Sequence, residues 1–313
     1  MSSLNVVLAA DPSLIKAPSI SYAALAPILI VLGAACLGVL VEAAAPRERR
    51  FNLQLGLALL ALLAALVDVI TLRGRSTLTA SSALSIDGVT LFLQGAILVL
   101  GALSVLLMAE RAVEPGGAIV ASAALVVGSP ADRRLASGER VQTEIFPLTM
   151  FAIGGMLIFP AANNLLLMFV ALEVLSLPLY LIAGLSRRRR LLSQEAAIKY
   201  FLLGAFASAF FLYGVALLYG YAGSVDLLDI LQAQNSSTQS DVLLYLGFGL
   251  LLVGLLFKAG IAPFHSWTPD VYQGSPTPVT AFMASCTKIA AFGAIIRVLY
   301  VGFSVSAWNW RPI

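Results

Sequence analysis

Residues 241–300 read DVLLYLGFGLLLVGLLFKAGIAPFHSWTPDVYQGSPTPVTAFMASCTKIAAFGAIIRVLY. Two apolar runs flank a polar turn, and each run carries one lysine, Lys258 and Lys288. An ammonium at the centre of a membrane-spanning helix costs about 2.5–3.5 kcal/mol on insertion scales, so such a lysine is expected to face a polar cavity or a partner charge. Gly260 and Pro263 follow within five residues of Lys258 and interrupt the helical ladder. Irregular backbone at that depth is tolerated where protein buries it or water lines it. A broken helix beside a buried charge implies an ion path.

The surrounding chain has the composition such a path needs. Of 313 residues, 60% are hydrophobic and 11% charged, and the mean hydropathy is +0.95, values of a polytopic membrane protein rather than a soluble domain. Apolar runs long enough to cross about 30 Å of hydrocarbon predict an all-α protein of about eight transmembrane helices. These are Tyr22 to Ala43, Phe51 to Leu72, Gly88 to Ala109, Phe146 to Ala161, Leu165 to Leu185, Gln194 to Tyr221, the discontinuous Val242 to Gln273, and Pro278 to Phe303. Residues 1–111 then form a three-helix scaffold, 112–145 a cytoplasmic or interfacial insertion, 146–303 a five-helix unit and 304–313 a tail. The N-terminal residues lack the pattern of a cleaved signal peptide.

Arginine placement sets the expected orientation. With the N-terminus outside, Arg47, Arg49, Arg50, Arg111, Arg133, Arg134, Arg140 and the Arg187–Arg190 cluster fall in cytoplasmic segments, against Lys16, Arg73, Arg75 and Arg311 outside. The positive-inside rule favours that orientation, and an even number of spans puts both termini outside. The cluster reads as a topology anchor, with anionic lipid binding as its alternative.

Within the spans, polar residues are few enough to consider singly. Glu173 lies about eleven residues into its helix, near the midplane at 1.5 Å per residue, and an intramembrane carboxylate finds its natural partner in a buried lysine. Glu195 and Lys199 have the i,i+4 spacing of an ion pair; for Lys199 a place on a proton path and a snorkelling position both stand. His265, the single histidine, either relays protons or bonds carbonyls freed by the break. Asp270 either caps the turn or lines an entry path. Glu42 and Asp68 read as solvated or capping charges, a partner subunit being the alternative for Asp68, and Arg297 as a snorkelling residue. Cys36 and Cys286 read as small packing residues. No glycine-rich dinucleotide fingerprint, cysteine cluster or second haem-ligating histidine occurs in the sequence.

ALEVLSLPLYLIAGL around Glu173, QEAAIKYFLLGAFASAFFLYG around Lys199, and FKAGIAPFHSWTPDVYQGSPTPVTAFMASCTKIAAFG around Lys258 and Lys288 resemble the subunit N family of bacterial proton-pumping NADH:quinone oxidoreductase, respiratory complex I. The resemblance covers nearly all of the chain. It implies an antiporter-like half-channel formed by the last five spans, in which Glu173 and Lys258 form the carboxylate–lysine pair, Lys288 is the central relay and Lys199 is an additional intramembrane lysine. His265 joins them as a candidate for proton translocation. It also implies that NADH, FMN, iron–sulfur clusters and quinone are bound by partner subunits and none by this chain. The expected partners are the other membrane-arm subunits and the lipid bilayer of a bacterial plasma membrane, with no nucleic acid. Family members carry a second, inverted repeat beyond the eight spans found here, and the 112–143 insertion is longer than their connection. Two further readings are a cation/proton antiporter subunit and a truncated assembly subunit without its own path.

Overall fold

A computed structural model describes residues 20–111, 118–120, 126, 129–131, 142–186, 190–236 and 241–306. Two antiparallel helices open the chain, α1 (Tyr22–Ala44) and α2 (Arg47–Thr71). A two-stranded hairpin follows, β1 (Thr77–Thr79) paired antiparallel to β2 (Leu84–Ile86), and then α3 (Gly88–Met108). Next come α4 (Ile145–Ile158) with a 3-10 turn at Phe159–Ala161, α5 (Leu165–Ala183), α6 (Arg190–Ala222), the short α7 (Leu227–Ser236), α8 (Asp241–Ala259), the short α9 (Trp267–Gly274) and α10 (Thr277–Arg297), which ends in a π turn at Val298–Gly302.

Among the described residues, seven helices are long and apolar enough to cross a membrane, and the segment Ile145–Ala161 is a shorter apolar helix. This is the expected eight-membered set with one member short. That short member, α4, is buried along almost its whole length, so it packs as a core helix while its neighbours face outward. Leu60, Leu63 and Ile70 on α2 and Ile198, Leu202 and Phe206 on α6 are exposed; hydrocarbon is the solvent that satisfies such faces.

Glycine decides how closely α6 and α8 approach. A Cβ on Gly214 would stand 2.5 Å from the Leu251 nitrogen and 2.6 Å from the Gly247 oxygen, and one on Gly254 would stand 2.7 Å from Phe211 Cβ. In lipid, where apolar burial gives helices little reason to associate, such small-residue contacts let dispersion act between backbones.

The turn Ala161–Asn164 knots the non-helical parts together. Asn164 caps α5 by accepting from the Leu166 and Leu167 N–H groups and donates to Asp226 Oδ1 at 2.7 Å, and Asn163 N–H donates to the Ala83 oxygen of the hairpin. The hairpin is a local addition to an all-α fold; its polar sequence reads as loop because three-residue strands carry too little alternation to recognise. Most of the 112–143 insertion, with Arg133, Arg134 and Arg140, lies outside the described residues, as do Lys16, Arg187–Arg189, Arg311 and the tail beyond 306. Where the insertion is described, Val120 N–H donates to the Leu185 oxygen at the end of α5.

Candidate functional site

Lys258 occupies the last turn of α8 and is 3% exposed. Its ammonium donates to Ser176 Oγ on α5 at 2.8 Å and to Tyr200 OH on α6 at 3.0 Å. Glu173 lies three residues before Ser176 on α5, one turn along the same face. The expected Glu173–Lys258 pair is therefore not a direct ion pair among the described residues: hydroxyls occupy the lysine, and Glu173 Oε1 is buried without a hydrogen-bond partner. Pro178 sits inside α5 without ending it.

Immediately after Lys258 the helix changes register. Gly260 N–H returns to the Phe257 oxygen and Ile261 N–H to the Leu256 oxygen, three and five residues back instead of four. Gly260 takes φ +68°, the left-handed region that side chains disfavour. A Cβ there would also stand 2.5 Å from Lys288 Nζ and 3.0 Å from Thr268 Oγ1, so this position is glycine for two independent reasons. The indole N–H of Trp267 donates to the Phe257 oxygen at 3.0 Å. His265 was a candidate for that work, but its ring is exposed and makes no side-chain hydrogen bond among the described residues, its main-chain oxygen accepting from Thr268 N–H.

Lys288 projects from α10 toward the break. Its Nζ is buried without a hydrogen-bond partner and sits 5.2 Å from the Trp267 ring centroid and 5.8 Å from that of Tyr272. Thr268 Oγ1 and Tyr272 OH are likewise buried and without partners. The break thus gathers Lys258, Lys288 and a set of hydroxyls, with Glu173 one turn from the Ser176 contact.

Lys199 is placed elsewhere. Its side chain is 41% exposed and makes ion pairs of 2.7 Å with both Glu195 and Asp270, tying α6 to α9. Of the two expectations, a place on the proton path and a position nearer the rim, its position ten residues into α6 and the reach of Asp270 from α9 fit the second, in an exposed triad. Asp270 accordingly acts as an ion-pair partner rather than a turn cap.

Two charges read as peripheral, Arg297 and Glu42, prove to hold the scaffold. Arg297 is buried, donating to the Pro160 oxygen at 2.6 Å, Asp87 Oδ2 at 2.7 Å and Thr90 Oγ1 at 2.7 Å, so it does not snorkel. Burial opposes ionisation of Asp87, but the Thr90 N–H and the Arg297 guanidinium outweigh it and hold the carboxyl below the ordinary aspartate value of 3.8. Glu42 binds Arg50 at 3.0 Å, Gln54 and Thr143, joining α1, α2 and the start of α4. Their sequence positions near span ends are what solvated charges also show, so pattern alone does not separate the cases. Cys286 is buried and Cys36 exposed, so only the former packs in the core.

A buried lysine at a broken helix, with a second lysine across the break, is an arrangement suited to carrying charge within a membrane domain. Residues 162–313 match the family model described as NADH:quinone oxidoreductase/Mrp antiporter, TM. The chain is 60% identical over 306 residues to NADH-quinone oxidoreductase subunit N of Salinispora arenicola, covering 96% of this chain and 59% of the relative. A chain of respiratory complex I from Thermus thermophilus, solved with bound aureothin, is 38% identical with a TM-score of 0.67, covering 87% of this chain and 53% of that one. A chain of the Mrp complex from Dietzia sp. shares the fold, with a TM-score of 0.69 at 21% identity, covering 92% of this chain and 50% of that one. The chain is a multi-pass membrane protein similar over nearly its whole length to NADH-quinone oxidoreductase subunit N, and it spans about three fifths of the length of the curated relatives it matches.

Proposed function

We propose that this chain is part of the membrane arm of a proton-translocating NADH:quinone oxidoreductase and moves protons through Glu173, Lys258 and Lys288. NADH, FMN, iron–sulfur clusters and quinone are handled by partner subunits in this reading, and both termini lie on the outer face of the bacterial plasma membrane. The five spans within 146–303 form the translocating unit.

The observation that carries this reading is the pairing of Lys258 with two hydroxyls. A hydroxyl both donates and accepts. The same Ser176 and Tyr200 contacts therefore serve a charged ammonium and a neutral amine, so the lysine can gain or lose a proton without a large rearrangement. A carboxylate in contact would favour only the charged form. Glu173, one turn away, is near enough in register to bias the lysine without fixing it. Toward Lys288 the hydroxyls of Thr268 and Tyr272, buried and without protein partners, are positions where ordered water is expected to complete the connection.

The test is proton pumping driven by NADH oxidation in bacterial membranes carrying the full-length subunit in an assembled complex. Glu173→Gln, Lys258→Met and the double variant are compared. Groups acting as one unit lose function together and non-additively, so each single variant is expected to abolish most pumping and the double to add little. Full pumping in Lys258→Met would contradict the relay, and sodium-dependent transport without NADH-linked pumping would favour an antiporter.

A further inference from the structure

Trp267 contributes no proton, yet its ring adjoins the neighbourhoods of both buried lysines. It begins α9 at 2% exposure. Its indole lies parallel to the Tyr200 ring, with centroids 4.8 Å apart at 10°, and Tyr200 OH is the oxygen that takes a hydrogen bond from Lys258. On the other side of the break, Lys288 Nζ stands 5.2 Å from the indole centroid. The indole N–H is engaged by the Phe257 oxygen, which fixes the ring against rotation.

Both lysines stand over aromatic faces, Lys258 Nζ 5.2 Å from the Tyr200 centroid and 5.9 Å from that of Tyr180, but only Lys258 also has hydroxyl partners that serve it in either protonation state. An aromatic face attracts an ammonium through the ring quadrupole and has no such attraction for an amine. Lys288 Nζ has no hydrogen-bond partner among the described residues to replace that attraction, and Gly260 leaves it room at the break.

We propose that Trp267 is the positioning residue for Lys288, its indole face seating the protonated side chain and releasing the neutral one. The inference rests on the relay reading above and adds to it a charge-dependent position for the central lysine. The other titratable groups on the elements around Lys288 are Glu173 and Tyr180 on α5, Asp241, Tyr245 and Lys258 on α8, Asp270 and Tyr272 on α9, and Cys286 and Arg297 on α10. Asp270 is engaged by Lys199, and Lys288 is the lysine placed over the indole face.

The decisive experiment replaces Trp267 in the assembled complex with tryptophans carrying increasing numbers of ring fluorines, which drain the π face while nearly preserving shape. NADH-driven pumping is then followed across pH, with NADH oxidation as the control for assembly and Lys258→Met alongside. The alkaline limb of pumping is expected to move toward acid stepwise, by ~0.5–1 pH unit for the most fluorinated ring, with oxidation retained. Trp267→Leu is expected to show the full shift and Trp267→Phe a partial one. A limb that stays in place across the series while Lys258→Met abolishes pumping would overturn the role of Trp267 alone. Undiminished pumping in Lys258→Met would overturn the relay on which it rests.

Discussion

Arg297 and Lys258 illustrate two ways a buried cation is kept in a membrane protein. Arg297 has a fixed counter-ion, Asp87, and two further oxygens; it is a permanent charge that joins α10 to the hairpin end of α3 and to the turn after α4. Lys258 has two hydroxyls and two tyrosine faces around it and no fixed counter-ion among the described residues. Replacing Arg297 by Met leaves Asp87 without its cation, and removing one member of a buried pair is typically expensive. Because Asp87 is 30% exposed on its side chain, we expect a smaller loss, about 2–3 kcal/mol, read as a lower melting temperature of the solubilised protein. The pair also predicts a pH dependence. Asp87 has a folded value below its ordinary 3.8, so its contribution is present above the unfolded value and disappears as pH falls through the folded one. The stability gap between native protein and Asp87→Asn should accordingly narrow on acidification below pH ~4. A gap that stays constant would show that the pairing is not what stabilises this corner.

At the scale of elements, the α6–α8 seam and the break at the end of α8 share one cause. Gly214, Gly247 and Gly254 bring α8 against α6 closely enough for Lys258 to reach Tyr200, which lies on the same α6 helix. Gly214→Ala inserts a methyl group 2.5 Å from a backbone nitrogen and must spread the two helices. Gly220, on the same helix, has nothing within 4 Å of where its Cβ would be, so Gly220→Ala should be neutral or gain up to ~1 kcal/mol from helix propensity. Thermal unfolding and complex assembly of the two variants separate the effects: loss in the first and retention in the second are expected, and equal behaviour would contradict close packing as the reason for glycine at 214. The break was legible from the sequence because Gly260 and Pro263 cannot continue a helix. The second hydrogen bond that the Trp267 indole gives the Phe257 oxygen was not, since a tryptophan two residues from a histidine gives no sign of which ring reaches that carbonyl.

Across the whole molecule, hydropathy located the spans because crossing a bilayer needs length and apolarity, and both are properties of one segment. Which side chains meet is a property of several segments together. Ser176 and Tyr200 gave no warning as partners of Lys258 for that reason, being ordinary residues of apolar helices 82 and 58 positions away. The same limitation hid the exposed Glu195–Lys199–Asp270 triad, where the local i,i+4 spacing announced one half of the arrangement and only the fold supplied Asp270. Under the proposed relay Lys258 transfers protons, whereas Lys199 is ion-paired between α6 and α9. NADH-driven proton pumping in assembled complexes carrying Lys258→Met or Lys199→Met tests that division most directly. The account predicts that NADH oxidation persists in both, that pumping is lost in Lys258→Met, and that most of it survives in Lys199→Met. Pumping that survives in Lys258→Met and is lost in Lys199→Met would contradict it.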